Sequence, residues 1–160
     1  MSVQIKYSKK EILDLLSEIP DPEIPVINIL ELGVLRDVII NEKEIEVVIT
    51  PTYSGCPAMK QIENDIVSKM KSNGFENVKM KMVYHPAWTT DWLTDEAKEK
   101  LRKYGIAPPT PLHLSPKGRV PCPHCNSKNI ELVSQFGSTA CKALYKCLDC
   151  KEPFDYFKCH

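Results

Sequence analysis

Seven cysteines in 160 residues divide into one ordered set and a remainder. Cys122 and Cys125 form a Cys-x-x-Cys pair, Cys147 and Cys150 form a second, and 21 residues separate the two pairs. Each pair offers two thiolates from one short turn. Together they complete the tetrahedral shell that Zn²⁺ prefers, with Zn–S distances of about 2.3 Å. Four protein ligands leave no coordination position for a substrate, so the chemistry predicted at this metal is structural rather than catalytic. An iron site or a redox dithiol pair is the alternative for the same spacing. His124, inside the first pair, is predicted to point away from the metal.

Cys56 has a different setting, in Thr50-Pro51-Thr52-Tyr53-Ser54-Gly55-Cys56-Pro57-Ala58. An alternating apolar run precedes this stretch and a helical pattern follows it. The chain is predicted to turn at Gly55, with Cys56 in the first turn of a helix and Pro57 at the first helical position. Unpaired N–H groups at a helix start favour a thiolate, so Cys56 could bind metal or react. The alternative is a half-buried cysteine that only packs. Asp21 and Glu23 lie among Pro20, Pro22 and Pro25 and read, on pattern alone, as acids on a stiff turn. His85 after a strand reads as structural. Cys141, beside Lys142, reads as a small buried residue of a hairpin turn, and Cys159 as part of a frayed end.

The elements that must hold these residues are legible from periodicity. Ser8 and Glu11 have the spacing of a capping box, and Ile12, Leu13, Leu15, Leu16 and Ile19 predict an amphipathic helix to about Glu18. Residues 34–40 and 45–50 predict a hairpin, joined by Asn41-Glu42-Lys43-Glu44. Met59, Ile62, Ile66, Val67 and Met70 mark one face of a helix, with the methionines as core filler. Val78, Met80, Met82 and Tyr84 alternate as a third strand, parallel to one hairpin member through a right-handed crossover. A helix over 95–104 follows, capped by Thr94. Five prolines between 105 and 121 predict an extended connector, and 130–136 and 143–146 predict ribbon strands around the cysteine pairs.

The expected fold is therefore α+β. A small mixed three-stranded sheet with helices, in the order α-β-β-α-β-α, spans residues 1–105; a Pro-rich linker covers 106–120; a zinc-ribbon β domain covers 121–160. A tail of that size needs a metal or a partner surface to stay folded. Lys+Arg and Asp+Glu both number 21, which excludes nucleic acid or an acidic membrane surface as the main partner. No apolar run approaches the roughly 20 residues of a membrane span, and the N-terminus lacks an apolar signal core, so a cytoplasmic protein is expected. No phosphate-cradling glycine loop is present.

Asp21-Pro22-Glu23-Ile24-Pro25, the apolar run to Gly33, and Thr50-Pro51-Thr52 through Gly55-Cys56-Pro57-Ala58 resemble the SufT-like family of iron–sulfur assembly proteins. The later segments Pro86-Ala87-Trp88-Thr89-Thr90-Asp91-Trp92, Gly105-Ile106-Ala107-Pro108-Pro109 and Phe136-Gly137-Ser138-Thr139-Ala140-Cys141-Lys142-Ala143-Leu144-Tyr145-Lys146-Cys147 resemble the PaaD-like accessory proteins of the phenylacetyl-CoA epoxidase system. The resemblance covers nearly the whole chain. It implies a non-catalytic maturation factor for iron–sulfur or metal centres of that multicomponent oxygenase, with its oxygenase and reductase components as partners and a homodimer as an option. It also implies that Asp21 and Cys56 are the functional pair. One cysteine cannot ligate a [4Fe–4S] cluster alone, so a transient cluster would draw on a second Cys56, on Cys141 or on client ligands. Two further readings stand beside it: a structural subunit of the oxygenase in which Cys56 packs, and a thiol enzyme with Cys56 as nucleophile and His85 or Asp21 as base.

Overall fold

The computed structural model describes residues 7–109 and 120–158. Helix α1 (Lys9–Leu16) starts at the expected box: Glu11 N–H donates to Ser8 Oγ at 3.2 Å, and Ser8 N–H donates to Glu11 Oε2 at 2.6 Å. It buries Ile12 and Leu16 and stops two residues short of Glu18, with Ser17 at the C-cap. Pro20 then forms a single antiparallel bridge to Asn28. The apolar run from Val26 to Gly33 makes tight turns rather than a strand. Ile27, Ile29 and Leu32 are all buried, and Ile29 C=O accepts from both Val34 and Leu35 N–H at 3.1 Å.

Strands β1 (Leu35–Ile40) and β2 (Ile45–Ile49) form the predicted antiparallel hairpin, closed by Asn41 N–H on Glu44 C=O at 2.9 Å. Helix α2 (Ala58–Ser72) buries Met59, Ile62, Ile66 and Met70, so the methionines are core residues as expected. Strand β3 (Val78–Met82) then lies parallel to β2, with Ile45 opposite Val78 and Ile49 opposite Met82, in the sheet order β1-β2-β3. Trp88 is buried and donates its indole N–H to Leu32 C=O at 2.9 Å.

Two units divide the chain, Met1–Trp88 and Thr89–His160. The second begins with a 3₁₀ turn (Thr90–Trp92) and helix α3 (Asp95–Lys103), where Ala97 N–H donates to the Thr94 hydroxyl at 3.1 Å. Four strands follow: β4 (Ile106–Ala107), β5 (Ile130–Ser134), β6 (Lys142–Cys147) and β7 (Pro153–Phe157), ordered β4-β7-β6-β5. The α-β-β-α-β-α order is thus present, with its last helix in the second unit.

Two differences from the sequence reading stand out. Ile106 and Ala107, assigned above to the linker, pair in parallel with Asp155 and Tyr156 of β7, and Ala107 joins Val120, Cys122, Ala143, Cys147, Phe154 and Tyr156 in the second unit's core. Gly105, at φ +89°, turns the chain into this strand, and Pro108 and Pro109, which lack N–H donors, follow it at the sheet's edge. Strand β7 is an addition to the two expected ribbon strands, and it sits between β4 and β6. Residues 110–119 of the predicted linker, and Cys159 and His160, lie outside the described residues. Among the described residues no helix is long and apolar enough to cross a membrane.

Candidate metal centre and the Cys56 loop

The two cysteine pairs are built the same way. Cys122 N–H donates to Ser127 C=O at 2.8 Å, and Cys147 N–H donates to Glu152 C=O at 3.0 Å, each bond spanning five residues. Four residues after each first cysteine the backbone turns left-handed, at Asn126 (φ 62°) and Lys151 (φ 68°). Such turns direct successive N–H groups and both sulfurs of a pair inward.

The four Sγ atoms lie within 4.8 Å of one another, with Cys122–Cys150 at 3.7 Å and Cys125–Cys147 at 3.5 Å. A regular tetrahedron of sulfurs about 2.3 Å from a central Zn²⁺ has edges of about 3.8 Å, so the thiols are already near liganding separation. The four thiols could together hold one metal ion, with no ligand position left over. Their electrostatics point the same way. The Cys150 N–H donating to Cys147 brings that thiol down to about 7. Glu152 N–H favours the Cys150 thiolate, but burial and the neighbouring thiols outweigh it and push Cys150 up to about 12. Charges so close are carried together only around a cation, and metal binding displaces the remaining protons.

Around the sulfurs, Asp149 holds the pairs together. Its carboxylate accepts from the Ser127 hydroxyl and from Asn129 Nδ2 (2.9 Å), which together hold it below the usual carboxylate range. Leu148 N–H adds a bond to Asn129 C=O at 2.8 Å. His124 is exposed, outside the four-sulfur set, with its ring against Gly105.

In the first unit, Cys56 falls outside the helix. Pro57 takes the N-cap in αR conformation and Ala58 is the first helical residue, which corrects the placement of Cys56 in the first helical turn. Gly55 (φ +74°) makes the turn, Cys56 N–H donates to Tyr53 C=O at 3.3 Å, and Thr52 Oγ1 approaches the half-buried Cys56 Sγ at 4.0 Å.

Asp21 differs more from the expected solvated acid. It is 5% exposed, and its Oδ1 accepts from the N–H groups of Glu23 (2.9 Å) and Ile24 (2.8 Å), while its own N–H donates to Ile27 C=O at 2.9 Å. The carboxylate closes the proline-spaced loop from inside. The structure thus gives Asp21 a loop-closing task, and Cys56 a place in a separate turn of the same unit.

Sequence reasoning missed Thr50. It is 1% exposed, its N–H donates to Val34 C=O at 2.9 Å, and its Oγ1 is a buried side-chain oxygen with no partner among the described residues. A threonine ending an apolar alternation was the available signal. An unsatisfied buried hydroxyl costs about 1–3 kcal/mol, so the isosteric Thr50→Val is expected to raise the melting temperature of the first unit. A fall of several degrees in thermal melts would show that the hydroxyl is bonded after all.

A small α+β domain with a cysteine between strand and helix, coupled to a four-thiol ribbon, defines a two-part architecture associated with metal–sulfur centres. Comparison with known proteins bears this out in both halves. Residues 9–82 match the family described as iron–sulfur cluster assembly protein, and residues 107–158 match the PaaD zinc beta ribbon domain. The chain belongs to the PaaD family. It is 52% identical over 153 residues to a putative 1,2-phenylacetyl-CoA epoxidase subunit of Escherichia coli (strain K12), covering 93% of this chain and 92% of that one. It is 31% identical over 103 residues to an Fe-S protein maturation auxiliary factor of Porphyromonas gingivalis, covering 63% of this chain and 97% of that one. Among solved structures, a domain of unknown function from Bacillus anthracis superposes with TM-score 0.54 at 26% identity, covering 58% of this chain and 90% of that one. A conserved hypothetical protein from Thermotoga maritima gives TM-score 0.51 at 27% identity, with coverages of 63% and 98%.

Proposed function

We propose that this protein is a non-catalytic maturation factor for iron–sulfur or metal centres of a multicomponent phenylacetyl-CoA epoxidase. The observation that carries the reading is the near full-length similarity to an epoxidase component, joined to an assembly domain whose turn presents a half-buried thiol. Cys56 and Asp21 would be the contacts for the cluster or client, with Asp21 also closing its own loop. The ribbon cysteines Cys122, Cys125, Cys147 and Cys150 would carry a structural Zn²⁺, which fits their closed tetrahedral set and would fix the fold of the tail. Any iron–sulfur cluster is cargo in this reading, since one thiol falls short of the four that such clusters generally take. The oxygenase and reductase components are the partners, and the compartment is the cytoplasm.

The test is co-production of the epoxidase components with wild-type protein or with Cys56→Ser. Iron and sulfide in the purified reductase, and epoxidase activity, are expected to fall severalfold with the variant. Full cluster content and activity with Cys56→Ser would remove that residue from the assembly role. Turnover of an activated thioester through Cys56 would instead support a thiol enzyme.

A further inference from the structure

Of the eight exposed large hydrophobic side chains among the described residues, three fall within five positions. Leu132, Val133 and Phe136 are 46%, 58% and 67% exposed. They lie on the outer strand β5 and the turn after it. Ile130 pairs with Cys147 and Ser134 with Leu144, so this turn is at the end of the hairpin remote from the Cys147 knuckle.

The turn between β5 and β6 is held by a set of hydrogen bonds. Phe136 N–H donates to Ser134 Oγ (3.2 Å), and Gly137 N–H donates to Lys142 C=O (2.7 Å). The Ser138 hydroxyl donates to Asp155 Oδ2 (3.0 Å) and accepts from the buried Lys142 Nζ (3.1 Å). A Cβ at Gly137 would stand 2.4 Å from Asp155 Oδ1, so a larger residue there would have to displace the carboxylate that the Ser138 hydroxyl holds. Lys158 Nζ donates to Gln135 C=O at 2.9 Å and sits 4.6 Å from the Phe136 ring centroid. Phe136 is therefore displayed on a stiff support, and an aromatic anchor ordered before binding loses little entropy when it docks.

We propose that Leu132, Val133 and Phe136 form the surface by which the second unit docks a client protein, in an apolar pocket with a carboxylate at its rim. The proposal rests on the maturation-factor reading. Two observations select this partner. The register of β5 against β6 shifts between Leu132 and Ser134, and such a bulge disrupts the regular edge that strand addition needs, so recognition falls to side chains. The charge available beside Phe136 is that of Lys158, which rests on a carbonyl and a ring, whereas the nearby Asp155 carboxylate is engaged by the Ser138 hydroxyl and Glu131 stands opposite Lys146 in the ladder.

The test measures binding of purified epoxidase oxygenase and reductase components to the zinc-loaded full chain. Phe136→Ala is expected to weaken binding of one component by at least about tenfold. Lys158→Glu is expected to slow association and flatten its salt dependence. Tyr104→Ala removes an exposed aromatic beside Gly105 and is expected to leave binding unchanged. Zinc content and melting temperature of each variant control for folding. Unchanged binding with Phe136→Ala would overturn the proposal, and so would self-association of the wild type that Phe136→Ala abolishes. If no component binds the wild type while Cys56→Ser still lowers reductase cluster content, the docking surface falls and the maturation reading stands. If binding depends on Phe136 while Cys56→Ser leaves cluster content intact, the docking surface stands and the role of Cys56 falls.

Discussion

Stripping the metal with a strong chelator, or replacing Cys147 by Ser, is expected to unfold the second unit while the first keeps its melting transition. Metal binding contributes about 10–16 kcal/mol to small structural zinc sites, comparable with the whole stability of many domains. Against this, the buried core around the cysteines is small and includes two of the ligands, Cys122 and Cys147, with Ala107, Val120, Ala143, Phe154 and Tyr156. Cys147→Ser places a hydroxyl at a fully buried ligand position. Zinc is expected to fall from one per chain to a trace, with loss of the near-ultraviolet circular dichroism of the Tyr145, Phe154 and Tyr156 ring cluster. Purified protein without zinc, or rings that stay ordered after chelation, would reject the structural site. The first unit, whose core draws apolar side chains from α1, α2, the sheet and the turns holding Ile24, Ile27, Ile29 and Leu32, is expected to have no such dependence.

Asp21→Ala is expected to have the largest effect on the first unit. It leaves the N–H groups of Glu23 and Ile24 without the carboxylate oxygen they share, in a loop where Ile24 is buried. Hydrogen bonds to a charged acceptor contribute about 1.5–3 kcal/mol each, and sharing makes the pair less than additive, so a loss of about 3 kcal/mol is expected. In a domain of this size that lowers the melting temperature by about 10–20 °C. Asp21→Asn keeps an acceptor at the same place and is expected to keep most of the stability. The pair of variants separates two roles. If Asp21→Asn folds normally and still supports cluster content in the reductase, the residue acts through the loop alone. If it folds normally and cluster content collapses, the charge itself is used.

The metal centre is legible in the sequence because its determinants are local. A Cys-x-x-Cys pair shapes its own turn, and nothing distant is needed to see that two pairs make a tetrahedron. The hairpin and α2 are legible for a similar reason, since their burial patterns follow the strand and helix periods. Ile106 and Ala107 are not, because two residues between a glycine and two prolines carry no period, and their partners in β7 are nearly 50 positions away. An acid between prolines is usually solvated, and the pattern around Asp21 says no more than that. Its burial accompanies a loop that closes on its own carboxylate and N–H, through Glu23, Ile24 and Ile27, a bonding pattern that residue types alone do not announce. Cys56 lies before the helix rather than in its first turn because Pro57, which suits a first helical position, here takes the cap.

The matched construction of the two knuckles also bears on how the metal arrives. Each presents two sulfurs from a turn closed by its own five-residue hydrogen bond, so either knuckle can make the first encounter. The second half then closes a loop of 21 residues, an entropic cost of about 3 kcal/mol that two further metal–sulfur bonds exceed. Metal loading would thus have two parallel routes of similar difficulty, neither of them limited by chain diffusion, since loops of this length close in well under about a microsecond.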